Sequence, residues 1–207
     1  MARCLVVAAT AAEIAPFLEV LAQRKQAEID VLLTDVGMVA TAFQLGKALH
    51  QKTYDYAVQV GIAGAITKDL ALGEVVFVAH DTFYELGAED HDDFLTIEQL
   101  GFGKSTFHAM PGVIPDGYAA LTRVAGITVN RVHGNEQSIA QLRSRSNAAV
   151  ESMEGAAFYY ACQQAGLSCI QVRSISNYVE KRNRANWKIG LAVKNLNEWL
   201  ISCSHLF

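Results

Sequence analysis

Short apolar runs alternate along this chain with longer segments in which apolar residues recur every three or four positions. The short runs predict buried β-strands, and the longer segments predict amphipathic helices. Strands that are almost continuously apolar are typical of a sheet with helices on both faces. The predicted strands are Cys4–Ala9, Ile29–Leu33, Tyr56–Ile62, Val75–Ala79, Ile127–Val132, Ala148–Ser152 and Ser168–Ile175.

The predicted helices lie between these strands and complete an α/β pattern. The first would place Ile14, Phe17 and Leu21 on one face, and the last would turn Leu191 and Trp199 toward the core. The predicted helices are Glu13–Arg24, Val39–His50, Ile139–Arg143, Gly155–Ala165 and Trp187–Leu200. Residues 85–117 hold most of the turn-forming residues, so we expect a long irregular region there.

Composition is consistent with a globular domain of this class. The chain has 207 residues, of which 51% are apolar and 18% charged. This length suits one domain over residues 1–207. The formal charge of −4 offers no basic surface, so we expect no nucleic-acid partner. We also expect no membrane span, since no apolar run approaches the roughly 20 residues that a spanning helix needs.

The cysteines show neither a metal-binding spacing nor a disulfide framework. Cys4 lies in a predicted strand and Cys162 in a predicted apolar helix, where each would act as a small core residue. Cys169 and Cys203 form no CxxC pair with them. We therefore expect a cytoplasmic protein.

Several familiar chemical motifs are missing. The chain has no GxGxxG fingerprint, no P-loop and no GxSxG nucleophile elbow. The acidic run at 89–93 (EDHDD) lacks the spacing of a zinc or calcium site. A solvated loop is the better interpretation of this run, and we expect no metal.

Polar residues at the carboxyl ends of the predicted strands are the candidates for chemistry, because ligands of open α/β sheets bind there. Glu13 is either a first-turn acid that stabilises a helix N-terminus or a general base. Glu154 has the same structural interpretation, or else it awaits a ligand, because a buried carboxylate is costly without a partner. Arg173 would pair with Glu13 or Glu154, unless it extends from an edge strand into solvent. GIAGA (61–65) is a tight turn or a run of backbone amides around a ligand.

Taken together, these segments resemble one family. The chain is similar to the nucleosidases of the nucleoside phosphorylase superfamily in five segments: ATAAEIAPF around Glu13, DVGMVATA (35–42), VGIAGAI (60–66), VESMEGAAF (150–158) and VRSISN (172–177). The methylthioadenosine/S-adenosylhomocysteine nucleosidases are relatives, and the tail at 176–200 most resembles the futalosine hydrolases. The resemblance implies a nucleoside phosphorylase-type fold with a central mixed sheet flanked by helices. It also implies hydrolysis of the N-glycosidic bond of futalosine in menaquinone biosynthesis, without a cofactor.

The resemblance also implies roles for individual residues. Glu154 would bind the ribose 2′- and 3′-hydroxyls, and Met153 would pack against the sugar. Glu13 would hold and deprotonate the attacking water, with Arg173 nearby. Backbone groups of Ala63 and Gly64 would line this region.

Asn177 departs from the methylthioadenosine enzymes, which have an aspartate at this place. An asparagine amide donates to N7 and O6 of hypoxanthine, so it favours a hypoxanthine leaving group and argues against adenine. Ile62 is a second departure, since related nucleosidases often have a hydroxyl residue there. Another purine nucleosidase of the methylthioadenosine/S-adenosylhomocysteine type, a purine nucleoside phosphorylase and a non-catalytic nucleoside-binding module stay open as alternatives. The resemblance implies a homo-oligomer, either a dimer or a dimer of dimers.

Overall fold

The apolar runs form strands and the amphipathic segments form helices. A computed structural model of the protein describes residues 2–24, 28–112, 114 and 116–203. The strands are β1 (Cys4–Ala8), β2 (Ile29–Leu33), β3 (Tyr56–Ala65), β4 (Val75–Phe83), β5 (Gly87–Asp90), β6 (Asp93–Thr96), β7 (Thr106–His108), β8 (Thr122–Thr128), β9 (Val150–Ser152) and β10 (Ser168–Tyr178). The α-helices are α1 (Ala15–Arg24), α2 (Met38–Gln51), α3 (Glu136–Arg145), α4 (Gly155–Gln164) and α5 (Ile189–Cys203).

Part of the main sheet closes into a ring. Strand β10 pairs in parallel with β3 and antiparallel with β4. The ring continues from β4 through β8 and β9 back to β3. β1 and β2 extend the sheet from β3 in parallel, and β7 pairs with β4. The predicted central mixed sheet is therefore confirmed.

Helices cover both faces of the sheet, and alternate residues of β1 show why. Val6 packs into a core cluster with Phe17 of α1 and Leu196 of α5. Val7 faces the opposite way and packs with Phe158 of α4. Because successive strand residues point to opposite faces, a fully apolar strand requires such cover on each side.

Four strands differ from the sequence prediction by three or more residues at one end or both: β3, β4, β8 and β10. β3 does not end at Ile62, and GIAGA is not a turn: the strand continues to Ala65. The reason is pairing on both sides, since Gly64 lies opposite Glu151 of β9 as well as beside β10. The strand predicted at Ile127–Val132 instead occupies residues 122–128, where β4 and β9 flank it.

The predicted irregular region and the last helix also need correction. Residues 85–117 contain β5, β6 and β7, so turn-forming residues there separate short strands. Helix α5 begins at Ile189, which leaves Trp187 outside it. Leu191 is 43% exposed and does not reach the core, unlike Leu196.

A β-bulge interrupts β10 near its end. Ile175 lies opposite Ala63 of β3, and the next paired residue, Asn177, lies opposite Gly64. Ser176 is therefore an extra residue in the strand. Because side chains alternate between faces, the extra residue turns Asn177 to the face opposite that of Arg173.

Candidate active site

The predicted site residues converge on one cavity at the carboxyl ends of the strands. The cavity has a volume of about 410 Å³. Six of the seven predicted residues line it: Glu13, Ala63, Gly64, Met153, Glu154 and Asn177. The seventh, Arg173, lies behind this wall and contacts Glu154.

Three donors hold the carboxylate of Glu13. Its Oε2 accepts hydrogen bonds from the main-chain N–H and the hydroxyl of Thr10, at 3.1 and 3.0 Å. Its Oε1 accepts from the main-chain N–H of Ile62 at 3.1 Å. Glu13 belongs to a capping box on a short 3-10 helix, so the structural interpretation of this residue is correct. That role leaves the carboxylate on the cavity wall, where a carboxylate retains further lone pairs for a ligand.

Glu154 is buried at the start of α4 but does not cap that helix. Its side chain accepts no hydrogen bond from the first turn. Oε1 instead accepts from the main-chain N–H of Gly37 at 3.1 Å, and Oε2 lies 3.5 Å from Nη2 of Arg173. Gly37 has a φ of 104°, a conformation that favours glycine, and this turn brings the start of α2 to the carboxylate.

Arg173 is 1% exposed and lies in the middle of the sheet, so its alternative placement on an edge strand is wrong. Its predicted pairing with Glu154 is confirmed. Nε donates to Oε1 of Gln171 at 2.9 Å. Nη2 has no hydrogen-bond partner among the described residues, which leaves a buried donor beside the cavity wall. Nη1 packs against Gly61, where a side chain would not fit.

A chain of buried hydrogen bonds continues behind Arg173. Gln171 donates through Nε2 to Oδ2 of Asp81 at 3.1 Å, and the hydroxyl of Thr128 donates to Oδ1 at 2.8 Å. The same hydroxyl accepts from the main-chain N–H of Ala156 in the first turn of α4, at 2.7 Å. The chain therefore joins Arg173 to the helix that begins beside Glu154. We call Arg173, Gln171, Asp81 and Thr128 the buried polar chain.

Sequence reasoning missed three members of the buried polar chain. Thr128 and Gln171 each lie between two apolar residues, whereas Asp81 lies between His80 and Thr82, and only pairing across neighbouring strands brings the three together. For Thr128 and Gln171, a single polar residue between apolar neighbours was the one signal available. Burial raises the pKa of Asp81 to about 6, against the lowering effect of the hydrogen bonds from Gln171 and Thr128.

Neighbouring residues fix the amide of Asn177. Its Nδ2 donates to the main-chain carbonyl of Tyr178 at 3.1 Å, and because a carbonyl can only accept, this contact identifies the nitrogen. Its Oδ1 lies 2.8 Å from the hydroxyl of Ser176, which also has the carbonyl of Ala63 at 3.2 Å. An amide nitrogen carries two protons, so one donor of Asn177 is left for a ligand in the cavity.

Comparison with known proteins identifies the family of this chain. The model of the phosphorylase superfamily matches residues 18–206. A futalosine hydrolase of Streptomyces coelicolor is 35% identical over 155 residues, which are 73% of this chain and 66% of the relative. A futalosine hydrolase of Acidothermus cellulolyticus is 34% identical over 181 residues, 84% of this chain and 74% of the relative. The chain belongs to the futalosine hydrolase family of the phosphorylase superfamily.

A solved structure supports the fold of this futalosine hydrolase family member. The native structure of futalosine hydrolase of Helicobacter pylori superposes with a TM-score of 0.83 at 16% identity. The match covers 100% of this chain and 98% of that chain. The family and fold that the sequence predicted are confirmed. The roles of the individual site residues stay predictions.

We predict that Gly61→Ala destabilises the protein and disturbs the site. A Cβ at this position would collide with Nη1 of Arg173 and lie 3.0 Å from Oε1 of Glu13. We expect a loss of about 1–3 kcal/mol in the free energy of unfolding, measured by urea denaturation.

Gly46→Ala is the matched control, because nothing lies within 4 Å of a Cβ at this position in α2. It should be neutral or stabilise the protein by up to about 1 kcal/mol, since alanine favours helix. Equal stability of the two variants would contradict the close packing of Gly61 against Arg173.

We predict that Asp81→Asn changes how stability depends on pH. The folded state binds the Asp81 proton more tightly than the unfolded state, because the pKa rises from 3.8 to about 6. This contribution to stability is present below about pH 4 and is lost as pH rises through about 6. The free energy of unfolding of the asparagine variant, relative to that of wild type, should therefore increase by on the order of 2–3 kcal/mol between pH 4 and pH 7.

Glu98→Gln gives a control of opposite sign. Partial burial alone would raise the pKa of Glu98, but hydrogen bonds from the main chain and hydroxyl of Ser105 lower it. The Glu98 carboxylate stabilises the fold at higher pH. The stability of Glu98→Gln relative to wild type should therefore decrease as pH rises. A stability difference for Asp81→Asn that stays constant from pH 4 to pH 7 would refute the prediction.

Proposed function

We propose that this protein hydrolyses the N-glycosidic bond of futalosine and releases hypoxanthine and dehypoxanthine futalosine, a step of menaquinone biosynthesis. One observation carries the proposal: two carboxylates, Glu13 and Glu154, line the same cavity as the amide of Asn177. Membership of the futalosine hydrolase family supports it.

The proposed mechanism assigns Glu154 to the sugar and Glu13 to the water. Cleavage of an N-glycosidic bond develops positive charge on the ribose, as glycoside hydrolysis does. Glu154 accepts hydrogen bonds from the 2′- and 3′-hydroxyls, and its negative charge stabilises that transition state. Met153 packs against the sugar. Glu13 orients a water molecule and takes its proton as the water oxygen bonds to C1′ and the C1′–N9 bond breaks. The leaving purine takes a proton from solvent, since an asparagine amide hydrogen-bonds to the base but does not protonate it.

Arg173 and the backbone of β3 complete the water site in this proposal. Nη2 of Arg173 is a buried donor without a hydrogen-bond partner among the described residues, which suits a water or a developing hydroxide. Ile62 lacks the hydroxyl of related nucleosidases, but its main-chain N–H orients Glu13 instead. Ala63 and Gly64 line the space between the sugar and the water.

Asn177 serves the leaving base. The carbonyl of Tyr178 can only accept, so the amide atom that faces it is Nδ2, whose second proton is free for a ligand. O6 of hypoxanthine accepts this proton, while the 6-amino group of adenine at the same place would need an acceptor. N7 accepts in both purines, so the preference for a 6-oxopurine rests on a contact with O6.

The alternatives account for the site less well. A phosphorylase needs room for a phosphate dianion, and the carboxylate of Glu13 would repel it. A methylthioadenosine nucleosidase would have to pair the adenine amino group with a donor. A non-catalytic binding module has no need of a held carboxylate at the water position.

We predict that the purified protein releases hypoxanthine from futalosine without phosphate, as measured by chromatography of the free base. Inosine and methylthioadenosine are the comparison substrates. Glu13→Gln should lower kcat by about 10²–10⁴-fold and leave futalosine binding largely intact, because only the proton transfer is removed.

Glu19→Gln is the matched control, since Glu19 lies on the exposed face of α1. It should retain wild-type turnover. Adenine released from methylthioadenosine as the dominant activity would refute the argument from Asn177. Full activity of Glu13→Gln would refute the assignment of the base, and strict dependence on phosphate would favour a phosphorylase.

We also propose that the protein is a homo-oligomer whose subunits meet at an apolar face. Val39 and Phe43 of α2 are 79% and 68% exposed. With Leu86 and Tyr160 they line a second cavity of about 730 Å³, and we call these four residues the apolar face. Val36, three residues before Val39, lines the active-site cavity, so a second copy on the apolar face would lie beside the active site.

We predict that Phe43→Glu shifts the protein to a monomer, measured by light scattering after size-exclusion chromatography. Burying a charge in an apolar interface is unfavourable. Leu191→Glu on α5, which packs on the opposite face of the sheet, should keep the wild-type mass. Wild-type protein that is already a monomer, or Phe43→Glu that keeps the wild-type mass, would refute this interface.

Domain organisation and location complete the proposal. We propose one nucleosidase domain over residues 1–207, since the described strands other than the β5–β6 hairpin join one sheet. We propose a cytoplasmic location because the four cysteines are free and buried. In the described part of the chain, no helix is both long and apolar enough to cross a membrane.

A further inference from the structure

A second pair of ionisable residues lies in the cavity wall, and the mechanism above does not use it. Glu151 and His133 both line the cavity. Their side chains are only 3% and 9% exposed. Glu151 accepts the main-chain N–H of His133 through Oε1 at 2.9 Å and contacts Nδ1 of the ring through Oε2 at 2.5 Å.

The imidazole of His133 is held in one orientation. Glu151 is an acceptor, so the hydrogen bond places a ring proton on Nδ1. The ring of Tyr84 packs edge-on against the imidazole, with centroids 5.5 Å apart and planes at 77°. The guanidinium of Arg145 lies over Tyr84 in turn, 4.7 Å from its ring centroid. Nε2 is the ring nitrogen left for a ligand, since no described residue bonds to it.

This pair belongs to the same wall as Asn177. Glu151 lies opposite Gly64 in the β3–β9 ladder. Nδ2 of Asn177 lies 3.2 Å from the place that a Cβ on Gly64 would take. The carbonyl of Gly134, next to His133, accepts from the main-chain N–H of Arg182 at 3.1 Å, in the segment that follows Asn177. A base beside Asn177 is therefore within the region that His133 borders.

We propose that His133 is a specificity-determining residue for the purine, and this inference rests on the proposed function. We take the imidazole as neutral with its proton on Nδ1, so that Nε2 carries a lone pair. A 6-oxopurine has an N1–H that this lone pair accepts. Adenine has a lone pair at N1, which would face the lone pair of Nε2. His133 thus reads N1, while Asn177 donates to N7 or O6.

In this proposal, Glu151 determines whether Nε2 is a hydrogen-bond acceptor or a donor. In Glu151→Gln the side chain keeps one oxygen and gains an NH₂ group. The main-chain N–H of His133 can only donate, so it takes the oxygen. The NH₂ group then donates to Nδ1, which moves the ring proton to Nε2. Nε2 becomes a donor, which matches N1 of adenine and opposes the N1–H of hypoxanthine.

The test measures binding of hypoxanthine and of adenine to the full chain by calorimetry. The readout is the ratio of the two affinities. Wild type should prefer hypoxanthine. His133→Leu should lower this ratio about tenfold or more, because the N1–H is left unpaired. His133→Gln retains an acceptor oxygen and should keep part of the ratio. Glu151→Gln should lower the ratio below that of His133→Leu.

His108→Leu is the matched control, because His108 is exposed on β7 and lies outside the cavity. It should keep the wild-type ratio. A wild-type ratio in both His133→Leu and Glu151→Gln would overturn this inference and leave the proposed function standing. If the wild type bound neither base and released none from futalosine, the proposed function and the inference would both fall. Should His133→Leu fail to fold, the ratio in Glu151→Gln decides.

Discussion

The pairing of Glu154 with Arg173 inside the protein is the interaction on which the rest of this structure depends. Removing two charges from water costs several kcal/mol for each ion, and mutual attraction repays it only if other hydrogen bonds support both partners. The structure supplies that support through three hydrogen bonds. Gly37 donates to the carboxylate, Gln171 accepts from the guanidinium, and Asp81 accepts from Gln171.

Main-chain N–H groups hydrogen-bond to both carboxylates of this cavity. Ile62 donates to Glu13 and Gly37 donates to Glu154. Such donors cannot swing away, so the carboxylates are oriented before a ligand arrives. Arg173 offsets the charge of Glu154 from behind the cavity wall and leaves the cavity free for a ligand. Carboxylates held in this way suit the oxocarbenium-like transition state of the proposed reaction.

The elements with strong apolar periodicity could be predicted from the sequence, and so could the residues that gather at the strand ends. β1, β2 and α2 lie within a residue or two of their expected ends, because their patterns are local. The continuation of β3 to Ala65 and the short strands within residues 85–117 could not be predicted, since partner strands create them. The buried polar chain was missed for the same reason: Asp81 and Gln171 are distant in sequence and meet only across β4 and β10.

Motif matching located Glu154 and Asn177, but it could not show what supports them. The φ of 104° at Gly37, which directs its main-chain N–H to Glu154, explains physically why a glycine stands at the start of α2. The pair of His133 and Glu151 carried no recognisable spacing in the sequence. It depends on a loop that folds back onto β9, and loop conformation is set by tertiary contacts more than by local preference.

The extra residue in β10 has a consequence for how such enzymes diverge. Arg173 and Asn177 belong to one strand, yet Ser176 turns them to opposite faces. Arg173 packs against Gly61, whereas Asn177 lies against Gly64. A substitution at position 177 therefore need not repack the ion pair behind the cavity wall. Under the proposed function, the choice of purine could change while the groups assigned to the ribose stay in place.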